Sequence, residues 1–282
     1  MTDFGVPTVK MYHGLEIPQL GLGTYKVPPE EAQRVVEEGA EVGYRHFDTA
    51  QMYHNELEVG RGISASGLKR DEYFLTTKLD NGNHLPDDAR RTFEKSLEDL
   101  QVDYVDLFLI HWPLPTLYDG NFIQTWETLQ EFYEDGRARS IGLSNFLEHH
   151  IQPILDQCDV KPMVNQVESH PYMQIPELHA FHDKHQIVTE AWSPLARGDV
   201  VDDPVLTKVG EPYGKTASQV ALRWALQRGD IVFPKSMHKE RMRENFELFD
   251  FELTAEDMRA IQSLDQGDAG RRGSHPDTMD RL

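Results

Sequence analysis

The 282-residue chain carries a single cysteine, Cys158, and no stretch approaching 18 consecutive apolar residues. One cysteine excludes an internal disulfide, and no Cys/His spacing resembles a zinc site, so no metal is expected. The lack of a long apolar run excludes a membrane-crossing helix. Met1 to Gly5 also lack a basic segment leading into an apolar one, so export by a signal peptide is not expected and a reducing cytoplasm fits. Cations are scarce as well: 28 Lys and Arg stand against 48 Asp and Glu, a net charge of −20. Nucleic acid and anionic membrane surfaces both demand clustered cations, which makes either a poor partner. Finally, no Gly-x-Gly-x-x-Gly follows a strand, which argues against a Rossmann dinucleotide site. The Gly21-Leu22-Gly23 pair reads instead as a tight strand end.

Apolar content of 39%, with 10% aromatic residues, supplies enough material for a sizeable core. It is arranged in eight short apolar or β-branched runs, at 19–23, 45–48, 73–78, 104–111, 140–144, 163–166, 187–192 and 231–235. Stretches with helical spacing lie between them, at 29–41, 86–100, 124–134, 216–227 and 239–248. Pro28-Pro29 followed by Glu30-Glu31 suits a first helical turn. Eight strands alternating with helices predict a closed α/β barrel of the (β/α)8 TIM type, in one domain spanning 1–282. Residues 8–17 read as a β-hairpin that plugs the bottom of that barrel. An extra helix at 254–264 and a loop-like tail at 265–282 follow the eighth unit. Cys158 falls in a helical segment and reads as an inert, half-buried residue.

In such a barrel the reactive groups gather where the strands end. The runs here end in Asp48, Lys78, His111, Ser144-Asn145, Gln166, Trp192 and Lys235-Ser236. One polar strand end is usually a satisfied core group; seven in one barrel point to a site. Asp48, Lys78 and His111, with nearby Tyr53, hold what carbonyl reduction requires. A tyrosine with a pKa near 10 gives up its proton too reluctantly, and a lysine ammonium beside it stabilises the phenolate. Asp48 would keep Lys78 charged, Tyr53 would act as the acid, and His111 would orient the carbonyl. A purely structural Asp48–Lys78 pair would be costly to bury.

The segment Gly43-Tyr44-Arg45-His46-Phe47-Asp48-Thr49-Ala50-Gln51-Met52-Tyr53-His54-Asn55-Glu56 through Gly60 resembles the signature of the aldo-keto reductases. Thr76-Thr77-Lys78, Asp106 to Pro113 and Ile231 to Ser236 agree with it in order and spacing. Thr189 to Gly198 looks most like the microbial members that include the 2,5-diketo-D-gluconate reductases. The resemblance implies an NADPH-dependent reductase on a (β/α)8 barrel, with Asp48, Tyr53, Lys78 and His111 as its catalytic tetrad. It also implies a nicotinamide lying on Trp192, with its carboxamide held by Ser144, Asn145 and Gln166. Gly23, Thr24, Ser193 and Leu195 would complete the cofactor's surroundings.

Residues 235–245 form a basic island on an acidic chain. A 2′-phosphate rewards arginine and lysine, so NADPH is expected over NADH. By resemblance, Lys235, Ser236 and Arg241 would take that phosphate, and Glu244 and Asn245 the adenine. Tyr25, Met52 and Trp112 would wall the substrate pocket. Many relatives carry tryptophan two residues after the catalytic lysine, where this chain has Asp80. A carboxylate there would favour polyhydroxylated or cationic substrates and disfavour anionic ones. The expected protein is thus a cytoplasmic, monomeric, metal-free oxidoreductase for small aldehydes, ketones or sugar-derived carbonyls. Its rivals are an NADPH-binding regulatory or structural protein with little turnover, and a barrel enzyme of sugar-phosphate chemistry. The excess acid should lie on the outer helices and reads as adaptation to a salty, halophilic cytoplasm.

Overall fold

The structure, a computed structural model, describes residues 4–282, so most of the N-terminal stretch Met1 to Gly5 lies outside the described residues. It begins with an antiparallel hairpin of β1 (Thr8–Lys10) and β2 (Glu16–Pro18), in which Thr8 faces Pro18 and Lys10 faces Glu16. Eight parallel strands follow: β3 (Leu22–Gly23), β4 (His46–Asp48), β5 (Phe74–Leu79), β6 (Leu107–Ile110), β7 (Ile141–Ser144), β8 (Val164–Glu168), β9 (Val188–Trp192) and β10 (Ile231–Val232). They pair in unbroken chain order. The ring closes where Gly21 N donates to Val232 O at 2.9 Å and Val232 N donates to Gln19 O at 3.0 Å, bridging Leu20 to Val232. This is the expected (β/α)8 barrel. Strands buried on both faces favour apolar side chains, as the Leu-Phe-Leu-Ile of β6 shows. Most strands are shorter than the runs that marked them, but β5 matches its run in length and β8 continues to Glu168.

The helices are α1 (Pro29–Val42), α2 (Glu56–Ala65), α3 (Pro86–Leu100), α4 (Phe122–Glu134), α5 (Glu148–Gln157), α6 (Pro176–His185), α7 (Pro204–Gly210), α8 (Ala217–Gln227), α9 (Lys239–Phe246) and α10 (Ala255–Gln262). Pro29 opens α1 with Glu30 and Glu31 in its first turn, where fixed φ and negative charge are favoured. Thr216 caps α8 by accepting from Gln219 N. Helix α2 has no counterpart among the sequence-predicted helices, and its glycines explain its position. A β-carbon on Gly60 would lie 2.6 Å from Asp99 O, and one on Gly62 would lie 2.7 Å from Gln33 O. Only glycine lets α2 wedge this closely between α1 and α3. No helix among the described residues is long and apolar enough to cross a membrane.

The two ends of the barrel are finished differently. At the N-terminal end the hairpin buries Met11 and Ile17. There the Tyr12 hydroxyl donates to Lys161 O, just ahead of β8. At the other end lies the tail after α10, irregular apart from a 3-10 turn at Gly267–Gly270. Glu168, at the end of β8, accepts from Arg272 N at 2.7 Å and Gly273 N at 2.9 Å. Asn81 Nδ2 donates to Arg281 O at 2.7 Å. Met279 then packs with Trp112 and Leu114 in a cluster separate from the main core. His149 Nε2 and His150 Nε2 both meet Asp277 Oδ1, at 2.8 and 3.0 Å, and tie the tail to α5. Because His150 Nδ1 accepts from Leu147 N, its proton is on Nε2 and aimed at Asp277. Hydrogen bonding therefore accounts for this His/His/Asp group.

Candidate active site

Residues two apart on a strand share a face, so His46 with Asp48, Thr76 with Lys78 and Glu190 with Trp192 line up in the barrel's interior. Lys78 is fully buried. Its ammonium donates to Asp48 Oδ1 at 2.6 Å, to Thr49 O at 2.9 Å and to the Tyr53 hydroxyl at 3.4 Å. Burial pulls its pKa down, but Asp48 and Tyr53 outweigh that and hold it charged above the ordinary lysine range. Tyr53 sits on a short 3-10 turn after β4, with its ring partly exposed and its hydroxyl reaching down to Lys78. The His111 ring lies edge-on to it, centroids 5.8 Å apart.

Two titrations shape what this cluster can do. Burial pushes the Tyr53 phenol up to about 12, against the pull of Lys78. Lys78 does pull the phenol down, but desolvation is the larger effect, so Tyr53 stays protonated at neutral pH. His111 is driven well below the usual histidine range by burial, then by Lys78 and His84. It is a neutral imidazole, and its buried Nδ1 has no partner among the described residues.

The residues expected around a nicotinamide form one connected network. Trp192 Nε1 donates to Asn145 Oδ1 at 2.8 Å, and Asn145 Nδ2 donates to His111 O at 3.0 Å and Ser144 Oγ at 3.1 Å. Ser144 Oγ donates to Gln166 O at 2.9 Å. Gln166 Nε2 donates to Asp48 Oδ2 and to Glu190 Oε2, both at 2.8 Å. Gly23 pairs with Asp48 in the β3–β4 register, and the Thr24 hydroxyl donates to Asp48 O at 3.0 Å, bracing the strand end. Ser193 takes a left-handed backbone in the turn after β9, and Leu195 packs on the main core.

The basic island begins beyond β10. Lys235 and Arg241 are exposed, and among the described residues neither has an acidic partner, whereas Lys239 pairs with Glu41. Burial and the nearby Lys26 both lower the Lys235 pKa. Lys26 and Lys235 thus stand close together at this end of the barrel. Ser236 Oγ donates to His238 O at 3.1 Å. Glu244 accepts from Thr216 Oγ1 at 2.8 Å and so joins α9 to the cap of α8, next to buried Asn245.

On the substrate side the Tyr25 ring lies 5.1 Å from that of Tyr53, and Met52 is half-buried beside it in sequence. Trp112 is buried against Leu114 and Met279, with Trp192 packed on the same cluster. Asp80 N donates to Gln51 Oε1 at 2.9 Å, and Asp80 lines a cleft of about 470 Å3 with Gln51, His54, Glu56 and Lys95. A second cavity, of about 410 Å3, adjoins Asn145 and Glu168 under the tail. Sequence reasoning passed over Lys26, Glu168, Glu190 and Met279. Lys26 follows Thr24-Tyr25 directly and Glu190 stands two residues before Trp192, so strand alternation alone would have aimed Glu190 inward.

A closed parallel barrel with a lysine, a tyrosine and a histidine converging at its C-terminal end defines a carbonyl-reducing enzyme class. Comparison with known proteins agrees. The Aldo/keto reductase family profile matches residues 18–266. The chain is 45% identical over 273 residues to a glyoxal reductase of Bacillus subtilis (strain 168), covering 96% of this chain and 97% of that one. It is 42% identical over 274 residues to the methylglyoxal reductase DkgA of Escherichia coli (strain K12), covering 96% and 98%. The crystal structure of a Gox0644 mutant in complex with NADPH superposes with a TM-score of 0.93 at 42% identity, covering 97% of this chain and 98% of that one. The chain belongs to the aldo/keto reductase family and is an oxidoreductase acting on carbonyl groups.

Proposed function

We propose that the protein reduces small aldehydes, ketones and sugar-derived carbonyls with NADPH, and that Tyr53 is the general acid. The observation that carries this reading is the Lys78 ammonium, shared between Asp48 at 2.6 Å and the Tyr53 hydroxyl at 3.4 Å. When bound, NADPH supplies the hydride. The residues present fit it: among the described residues Lys26, Lys235 and Arg241 are cations without acidic partners, and the Asn145 amide meets Trp192 with Gln166 one strand over. As hydride reaches carbon, the carbonyl oxygen becomes an alkoxide, a stronger base than a phenolate. Tyr53 gives it a proton, and Lys78 stabilises the phenolate that remains. His111 is neutral and orients the carbonyl by hydrogen bonding rather than by charge. Asp48 holds Lys78 in place.

The relatives named for glyoxal and methylglyoxal make these small dicarbonyls the first substrates to assay. We read the chain as one monomeric domain working in a salty cytoplasm, with neither nucleic acid nor membrane as a partner. Tyr53→Phe removes the proton and leaves the cofactor contacts. Turnover of methylglyoxal should fall by about 10²- to 10⁴-fold, with NADPH affinity held within about twofold by fluorescence titration. Retained turnover would assign the acid to another residue. A wild-type protein that binds NADPH but reduces none of these carbonyls would establish the binding-protein alternative.

A further inference from the structure

Glu190 lies in the middle of β9, fully buried, on the same strand face as Trp192. It is the Cα partner of Gln166 in the β8–β9 register, and its Oε2 accepts from Gln166 Nε2 at 2.8 Å. Its Oε1 has no partner among the described residues. The same Gln166 nitrogen donates at 2.8 Å to Asp48 Oδ2. One amide thus bridges two carboxyl groups at the barrel centre, and among the described residues Lys78 is the one cation that meets either of them.

The hydrogen bonds decide which carboxyl carries the charge. Asp48 receives Lys78 and Gln166, whereas Glu190 receives Gln166 alone. A second buried anion with one donor and no cation contact would be strongly disfavoured. We propose that Glu190 is a positioning residue that works as the neutral acid: it holds one N–H of Gln166 while Asp48 holds the other, so that only the Gln166 carbonyl is free to meet the cofactor. Gln166 then acts toward a carboxamide solely as an acceptor, and it cannot flip without placing its oxygen against two carboxyl groups. This rests on the reading of the site as an NADPH site.

Ionising Glu190 would break the arrangement. Burial raises its pKa to about 8, with Asp48 adding to the rise and Gln166 and Lys78 opposing it. The groups that face it are the Gln166 amide on β8, Asp48 on β4 and Lys78 on β5; its register partner on β10 is the apolar Ile231. A proton held in the fold and lost in the unfolded chain stabilises fully below the unfolded carboxyl pKa, and that stability fades as pH rises towards the folded value.

The test uses Glu190→Gln, which keeps an acceptor for Gln166 and cannot ionise, and Glu190→Ala, which keeps neither. Glu190→Gln should gain thermal stability over the wild type progressively between about pH 5 and pH 8 in the cofactor-free protein. Glu190→Ala strands a Gln166 N–H and should weaken NADPH binding at pH 7 by on the order of tenfold, with Glu190→Gln restoring most of that loss. A wild-type and Glu190→Gln stability difference that is flat with pH would overturn the neutral-acid assignment. NADPH affinity in folded Glu190→Ala equal to wild type would overturn the positioning role. Neither readout involves turnover, so Tyr53→Phe tests the catalytic reading separately.

Discussion

Replacing Lys78 with methionine separates the two roles that its ammonium combines. The ion pair with Asp48 is buried on both sides, at 0% and 6% side-chain exposure. Removing the cation alone strands the carboxylate, which costs about 3–5 kcal/mol of stability. The catalytic loss has a different origin. At an effective dielectric of about 20, a unit charge 3.4 Å from a full phenolate is worth about 5 kcal/mol. With roughly half of that charge developed at the transition state, the loss is on the order of 100-fold in kcat/KM. Adding Asp48→Asn removes the stranded charge while Gln166 keeps an acceptor. The double variant should therefore recover much of the urea midpoint and none of the rate. Midpoints and kcat/KM for methylglyoxal, measured on the single and double variants, decide the matter. Activity that returns together with stability would show that Lys78 serves the fold alone.

Other perturbations probe separate parts of the molecule. Arg241→Ala should raise the NADPH Michaelis constant by about tenfold or more and leave that for NADH nearly unchanged; equal effects would remove Arg241 from phosphate recognition. Glu56 is buried, and its carboxyl is pushed up to about 7 by burial, against hydrogen bonds from Thr77 and Ser96. Its neutral form favours the fold, so wild-type stability should fall from about pH 4.5 to pH 7 by about 3 kcal/mol relative to Glu56→Gln. A pH-independent difference in unfolding free energy would contradict that assignment. Molar KCl should raise the melting temperature by screening a net charge of −20. An unchanged melting temperature would refute salt adaptation.

How much is legible in the sequence follows from which forces act locally. Strands buried on both faces are rich in apolar residues, and polar side chains gather where the runs end at the mouth. Asp48, Lys78, His111 and Trp192 can therefore be placed by reading alone. Helices α1 and α3 announce themselves through proline and acidic first turns. Helix α2 does not, because Gly60 and Gly62 serve a close approach to other helices that no local pattern encodes. In α5, Pro153 interrupts the helical pattern. The phenol's pKa escapes a reading of the motif because proximity to Lys78 is visible there, whereas depth of burial is a property of the assembled barrel. Lys26 is far from Lys235 in the chain, so their nearness emerges only when β3 closes against β10. The expected acidic shell is present on α1 and α3. There Glu31, Glu38, Asp87 and Asp88 pair with Arg34, Arg90 and Arg91 at mostly exposed positions. Such pairs contribute little individually.

The tail joins the mouth through Glu168, Asn81 and the small cluster around Met279, and that cluster is not continuous with the main core. A segment attached by a few hydrogen bonds and a satellite cluster opens at a lower free energy than the barrel beneath it. Residues 265–282 can therefore open while the barrel stays closed, and the hydride chemistry stays anchored in the strands beneath. Divergence among such barrels has a natural place to act. A duplicated copy can acquire a new diet by rewriting its roof while its floor is inherited intact.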